Sequence, residues 1–236
     1  MQGFLYGAGI VCLYYIVVAT LMFSMRKLIR IPDELFRKML HFALQFSYLL
    51  FFFAFDTWWQ SSLFGFIIVL IAHPIFTFLG RTSSFSSFVN ERKAGEFKSS
   101  LVLAFTMLAI CNAICWGWLN DRYFGLACIY AWGIGDGFAA LIGKRYGKHK
   151  IRFKYADHHK SIEGSLGMFI TSALSVAIVL LVHGHAGFWA MLIVPIAGAA
   201  VSTFVEMCTP NGMDTVTCPL AAISVMTPLM FLLGGF

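Results

Sequence analysis

The chain has 236 residues, of which 59% are hydrophobic and only 12% charged, with a mean hydropathy of +0.80 and a formal net charge of +6. Soluble domains carry about a quarter of their residues as Asp, Glu, Lys and Arg, so an ordinary water-soluble fold is excluded and an integral membrane protein is expected. The six cysteines (Cys12, Cys111, Cys115, Cys128, Cys208, Cys218) fall mostly in apolar stretches without paired ligand spacing, so neither a zinc site nor a structural disulfide is expected.

A bilayer crossing takes about 20 mostly apolar residues. Eight such stretches appear, at 4–25, 38–55, 61–79, 99–119, 123–143, 164–183, 187–207 and 216–236. Lipid offers backbone N–H and C=O groups no partners, so these spans read as helices of one all-α bundle over residues 1–236, with no second domain. With eight crossings, every Lys and Arg except Arg122 lies on one side. That asymmetry places both termini outside and the long loops in the cytoplasm. The first stretch lacks an early basic region and a small-residue cleavage site, so it reads as a retained span.

In chain order, the first span has only Tyr6, Tyr14 and Tyr15 as polar-tipped bodies and reads as a lipid-facing anchor. The second opens with Arg37, Lys38 and His41. Arg37, His41 and Gln45 step by four, so a basic and polar stripe descends one helix face. Snorkelling of Arg37 and Lys38 plus an interhelical hydrogen bond from His41 accounts for that stripe as simply as a binding role does. Asp56, Trp58 and Trp59 mark an interface turn, and His73-Pro74 predicts a kink in the third span. The loop 80–98, rich in Ser and Phe and carrying Glu91 and Glu96, is expected to lie along the membrane surface as a lid. Asn112, inside the fourth span, reads as helix-packing glue, and the connection at Asn120-Asp121-Arg122 is short.

The fifth span holds the residue around which the rest is arranged. Asp136 is a carboxylate in an otherwise apolar segment, and such a residue marks a site by default. Gly133, Ala139, Ala140, Gly143 and Gly147 lie at helical spacing from it, so its face carries small side chains that permit close approach. Beyond Gly143 the chain turns basic, with Lys144, Arg145, Lys148, Lys150, Arg152, Lys154 and Lys160 in one loop. These residues suit anionic headgroups or a nucleotide, and no nucleic-acid partner is expected. The loop ends at Lys160, Ser161, Glu163, Gly164 and Ser165, where the sixth span begins and a helix N-terminus offers N–H groups to an anion. His158-His159 is not taken as a metal site, because sequence neighbours do not face one another, and His183 and His185 fall on the outer side. Ser202, Thr203 and Glu206 share a face at the end of the seventh span, and Asp214 follows across a short turn. Asp136, Glu206 and Asp214 are three hard oxygen donors at similar depth, a set suited to Mg²⁺, which takes one or two carboxylates plus phosphates and keeps waters.

Four motifs now stand in order: Arg37-Lys38-x-x-His41; Gly135-Asp136-x-x-Ala139-x-x-x-Gly143-x-x-x-Gly147-Lys148; Lys160-Ser161-x-Glu163-Gly164-Ser165; and Glu206…Asp214-x-x-x-x-Pro219. Together, over about residues 37–220, they resemble the polyprenol kinase family, whose members include dolichol, phytol and farnesol kinases and a CTP-dependent diacylglycerol kinase. The resemblance implies phosphoryl transfer from CTP, with Mg²⁺, to the hydroxyl of a membrane lipid alcohol at the cytoplasmic face. In that reading Asp136, Glu206 and Asp214 hold the metal. Lys148, Lys160, Ser161, Glu163, Gly164 and Ser165, with Gly143 and Gly147, bind the nucleotide, and Arg37 and His41 orient the lipid end, with Asp136 and Lys160 at the reacting centre. Two positions depart from the pattern: Thr215 replaces the usual Asn after Asp214, and Gln45 stands where a small residue is common. The Gly-Asp and Lys-Ser-x-Glu-Gly elements are also similar to phosphatidate cytidylyltransferases, but the charged C-terminal signature of those enzymes is missing. A transporter for an anionic solute is a third reading. No internal repeat supports it, and Asp136 lies about seven residues, or roughly 10 Å, from its span's cytoplasmic end.

Overall fold

The computed structural model describes residues 2–80, 95–152, 160–209 and 212–236. Among them stand eight α-helices: α1 (Gln2–Leu28), α2 (Asp33–Phe53), α3 (Trp58–Leu79), α4 (Glu96–Cys111), α5 (Arg122–Tyr146), α6 (Ile162–His183), α7 (Phe188–Cys208) and α8 (Asp214–Leu232). Each coincides with one expected span, and no sheet forms among the described residues. Seven, α4 taken together with its continuation to Trp118, are long and apolar enough to cross a membrane. The other is α2, whose opening turns hold Asp33, Glu34, Arg37 and Lys38. The lid expected within 80–98 falls largely on 81–94, and His158-His159 on 153–159, both outside the described residues.

The helices group into two compact units, 1–113 and 114–236. In the first, Tyr14 donates to the Ala43 carbonyl at 2.6 Å and Tyr15 pairs with Ser47 at 2.8 Å, so two of the tyrosines expected on a lipid-facing anchor tie α1 to α2. The apolar residues Leu5, Leu13, Ile16, Val17 and Leu21 do face outward. Gly7 is required where it stands, because a Cβ there would meet the Ala54 carbonyl at 2.6 Å and the Phe55 ring at 2.8 Å. Asn112 is fully buried and donates to Ser61 at 2.9 Å and to Ser62 at 3.2 Å on α3, the interhelical bond expected of it. From Asn112 to Trp118 the helix widens to π geometry, a local change the apolar pattern does not signal.

The second unit is built on α5, the most buried of the long helices. Asp121 caps it by accepting the Phe124 N–H at 2.8 Å and also meets His183 at 3.1 Å, which ties the start of α5 to the end of α6. Asn120 takes the left-handed conformation (φ 55°) that lets the chain turn between helices. α6, α7 and α8 pack beside α5, running alternately up and down.

Candidate functional site

The site grows from the close approach of α5 to the start of α6. Ser161 caps α6, its hydroxyl accepting the Gly164 N–H at 3.2 Å. That hydroxyl sits over Gly143 in the last turn of α5 and Gly147 just beyond its end. A Cβ on Gly143 would lie 3.1 Å from it, and one on Gly147 would lie 2.6 Å from it and 2.9 Å from the Ser161 Cβ. From the other side, a Cβ on Gly164 would lie 2.9 Å from the Ala139 carbonyl. The small-residue face of α5 therefore takes up its close approach against α6, helix to helix, as small residues do in membrane bundles.

The basic loop between these helices closes on a short stem. Lys150 and Ser161 form an antiparallel bridge, with Ile151 N–H donating to the Lys160 carbonyl at 3.1 Å and Ile162 N–H to the His149 carbonyl at 2.9 Å. Glu163 locks that stem: its carboxylate meets the His149 ring at 2.6 Å and accepts the His149 backbone N–H at 3.2 Å. Glu163 is thus engaged by the loop that precedes it. Lys148 and the neighbouring Lys144 and Arg145 are exposed.

The stem delivers Lys160 to the end of α7. Its Nζ pairs with Glu206 Oε1 at 2.8 Å, donates to the Glu206 carbonyl and reaches the Thr209 carbonyl at 3.4 Å. A lysine at the last carbonyls of a helix also suits the negative end of its dipole. Glu206 is 6% exposed, and Asp136 and Asp214 act on its carboxylate as like charges against the opposite charge of Lys160. The three carboxylates and the lysine expected to act together are therefore electrostatic neighbours. Asp214 opens α8 and accepts the Trp132 Nε1–H at 3.3 Å. Thr209 and Thr217 meet at 3.1 Å and join the end of α7 to the start of α8.

Among the described residues no group of three or more His, Cys, Asp or Glu side chains could hold a metal ion, so Asp136, Glu206 and Asp214 do not form the three-carboxylate Mg²⁺ set expected from the sequence. The donors are nonetheless all carboxylate oxygens, with Glu206 already paired to Lys160. By donor chemistry alone Asp136 and Asp214 suit Mg²⁺, which takes one or two carboxylates together with phosphate oxygens and water.

Arg37 and His41 belong to the other unit. Arg37 pairs with Glu34 at 2.5 Å, and His41 sits on the half-buried part of the stripe. Lys38 (4% exposed) and Gln45 (1%) are buried on that helix, and neither amide atom of Gln45 has a partner among the described residues. Reading the sequence by motif missed Trp132. Its signal was available in the i, i+4 spacing to Asp136, which places a polar-tipped aromatic on the carboxylate's own face.

No family model matches the chain, and no solved structure matches it significantly. The chain is similar to the probable phytol kinase 2, chloroplastic, of Glycine max, with 30% identity over 142 residues, 57% of this chain and 45% of that protein. It is 30% identical to the probable phytol kinase, chloroplastic, of Zea mays over 142 residues, 43% of that protein. The phytol kinase of Synechocystis sp. is 38% identical over 96 residues, 40% of this chain and 38% of that protein. The chain thus spans less than half the length of the curated relatives it matches. This is distant, partial homology to phytol kinases, and at that level it bears out the resemblance read from the motifs.

Proposed function

We propose that this chain is a lipid alcohol kinase that transfers the γ-phosphoryl group of CTP to the hydroxyl of a membrane lipid alcohol, phytol or another polyprenol. The observation that carries this reading is the buried Glu206, paired with Lys160 and acted on by the charges of Asp136 and Asp214, next to a basic loop. The partial homology to phytol kinases supports it. Phosphoryl transfer relies on positioning and electrostatic stabilisation, with little covalent work for the protein, and a charged cluster at the end of a helix bundle supplies both.

Asp136 and Asp214 are the residues that would hold Mg²⁺, which when bound neutralises the triphosphate and the charge that develops in transfer. Lys160 turns from Glu206 toward the phosphates, with Lys148 and the loop cations adding to the positive field. The alcohol oxygen attacks the γ-phosphorus, the bond to the β–γ bridging oxygen breaks, and CDP leaves. The alcohol proton passes to one of the cluster carboxylates. The apolar tail stays in lipid, while Arg37 and His41 are assigned to orienting the polar end of the acceptor.

Purified protein in lipid vesicles, given Mg²⁺, a panel of lipid alcohols and CTP labelled separately at the α and γ phosphates, tests this. Label from γ in the lipid is the expected result. Label from α would make the protein a cytidylyltransferase, and label from neither would overturn group transfer. Asp136→Asn is expected to lower transfer by about 100-fold or more, in line with removing a group that stabilises transition-state charge, while the unfolding temperature stays near that of the wild type.

A further inference from the structure

Trp132 and Asp136 stand one turn apart on α5, so they share a helix face. The indole of Trp132 is 4% exposed and packs with Met168 of α6 and Cys218 of α8, with Ala139 and Val205 alongside. Its Nε1–H reaches Asp214 Oδ2 at 3.3 Å. Filling this space asks only for bulk, which Phe or Leu supplies. The N–H is the feature that asks for tryptophan, because a buried indole needs a hydrogen-bond acceptor.

Asp214 is the first residue of α8, and it follows Gly212, which is exposed and left-handed (φ 78°). Met213, at the cap position, makes no side-chain capping bond. An indole N–H is a donor with no acceptor capacity, so its bond to Oδ2 acts on the rotation of the carboxylate and with it on the direction of Oδ1.

We infer that Trp132 is a positioning residue, which through its N–H holds the Asp214 carboxylate in register with Asp136, so that the two take a divalent cation together. This rests on the proposed assignment of those two carboxylates. Groups that orient a metal-binding carboxylate typically carry about 10- to 100-fold in metal affinity when removed, and a contact of this length is expected at the low end.

The test is direct Mn²⁺ binding, followed by the loss of the free-ion electron paramagnetic resonance signal, for the full chain in lipid nanodiscs, alone and with CTP. Trp132→Phe is compared with a protein carrying benzothienylalanine at 132, which keeps the two-ring shape and replaces the N–H by sulfur. Both are expected to bind Mn²⁺ about 10-fold more weakly, while the benzothienylalanine protein unfolds at the wild-type temperature. Unchanged Mn²⁺ affinity in the benzothienylalanine protein overturns the inference, as does a wild-type protein that takes up no Mn²⁺ under either condition. γ-Phosphate transfer on the same preparations separates the two claims. Mn²⁺ binding that depends on the N–H in a protein without transfer sinks the kinase and keeps the tie, and transfer with N–H-independent binding does the reverse.

Discussion

Glu206 is the residue whose situation decides most about the site. A carboxylate that is 6% exposed and feels the like charges of Asp136 and Asp214 is sustained by Lys160, at 2.8 Å. Removing one partner of a buried pair strands the other, at a cost of typically 3–5 kcal/mol. Lys160 is 21% exposed, so water softens that cost here, to roughly 2 kcal/mol. Lys160→Met is therefore expected to lower both nucleotide affinity and thermal stability. The double variant Lys160→Met/Glu206→Gln is expected to regain stability and not nucleotide affinity, since the stranded charge is gone and the cation is still missing. Thermal unfolding and CTP titration on the two proteins check this, and a double variant no more stable than the single one would mean that the pair holds nothing together. Lys160, Asp136, Glu206 and Asp214 stood out in the sequence because a charge within or beside an apolar span does so. Their pairing was not, because nothing in residue spacing tells which of three carboxylates receives the lysine. Glu163 stood out for the same reason, and its engagement with His149 depends on a loop stem whose closure local pattern does not encode.

At the scale of the element, the glycines of α5 show how motif and packing overlap. Gly143 and Gly147 belong to the stretch on which the family resemblance rests, and each faces the Ser161 cap. Ser161 cannot swing away freely, because its hydroxyl holds the Gly164 N–H. A methyl at 147 would press on the Gly143 carbonyl and on both the Oγ and the Cβ of Ser161 at distances real contacts do not reach, whereas one at 143 would meet nothing closer than the Ser161 Oγ, at a tight 3.1 Å. Gly147→Ala is expected to destabilise by about 1–3 kcal/mol, as overpacking does, and Gly143→Ala by less. Gly9→Ala, where a methyl meets nothing within 4 Å, is expected to be neutral or stabilising by up to about 1 kcal/mol, since Ala suits a helix better than Gly. Thermal unfolding of the three variants checks the order, and Gly147→Ala as stable as wild type would mean that neither the Gly143 carbonyl nor Ser161 crowds that position. The helix centres were legible to within a few residues because apolar length is a strong signal. The ends were not, because α2 begins at Asp33 and α5 runs to Tyr146, with charged turns that hydropathy excludes and that the helix dipole and the membrane surface accept. Nor did the apolar pattern signal the π turn at Asn112–Trp118.

For the whole molecule the deciding element is α2, whose apolar length alone does not establish a crossing. If α2 stayed at the surface, the chain would cross seven times, Lys27 and Lys150 would lie on opposite faces, and the positive-inside asymmetry would disappear. The first unit argues for a crossing. α2 runs antiparallel to α1 along nearly its full length: Arg26 meets Asp33 at 2.7 Å at one end, Tyr14 and Tyr15 reach Ala43 and Ser47 in the middle, and Phe4 packs on Phe55 at the other. A helix of 21 residues is about 31 Å long, the thickness of the hydrocarbon core, and its partner α1 is apolar enough to cross. Burial of Lys38 and Gln45 inside the protein then spares lipid the contact that would otherwise forbid the crossing. Single cysteines placed at Lys27, Lys150 and His185 in a cysteine-free background, probed with an impermeant maleimide on intact cells and on inverted vesicles, test the arrangement. Lys27→Cys and Lys150→Cys are expected to label together from the cytoplasmic side and His185→Cys from the other. Labelling of Lys27→Cys and Lys150→Cys from opposite sides would take α2 out of the membrane and leave the nucleotide side of Asp136 open again.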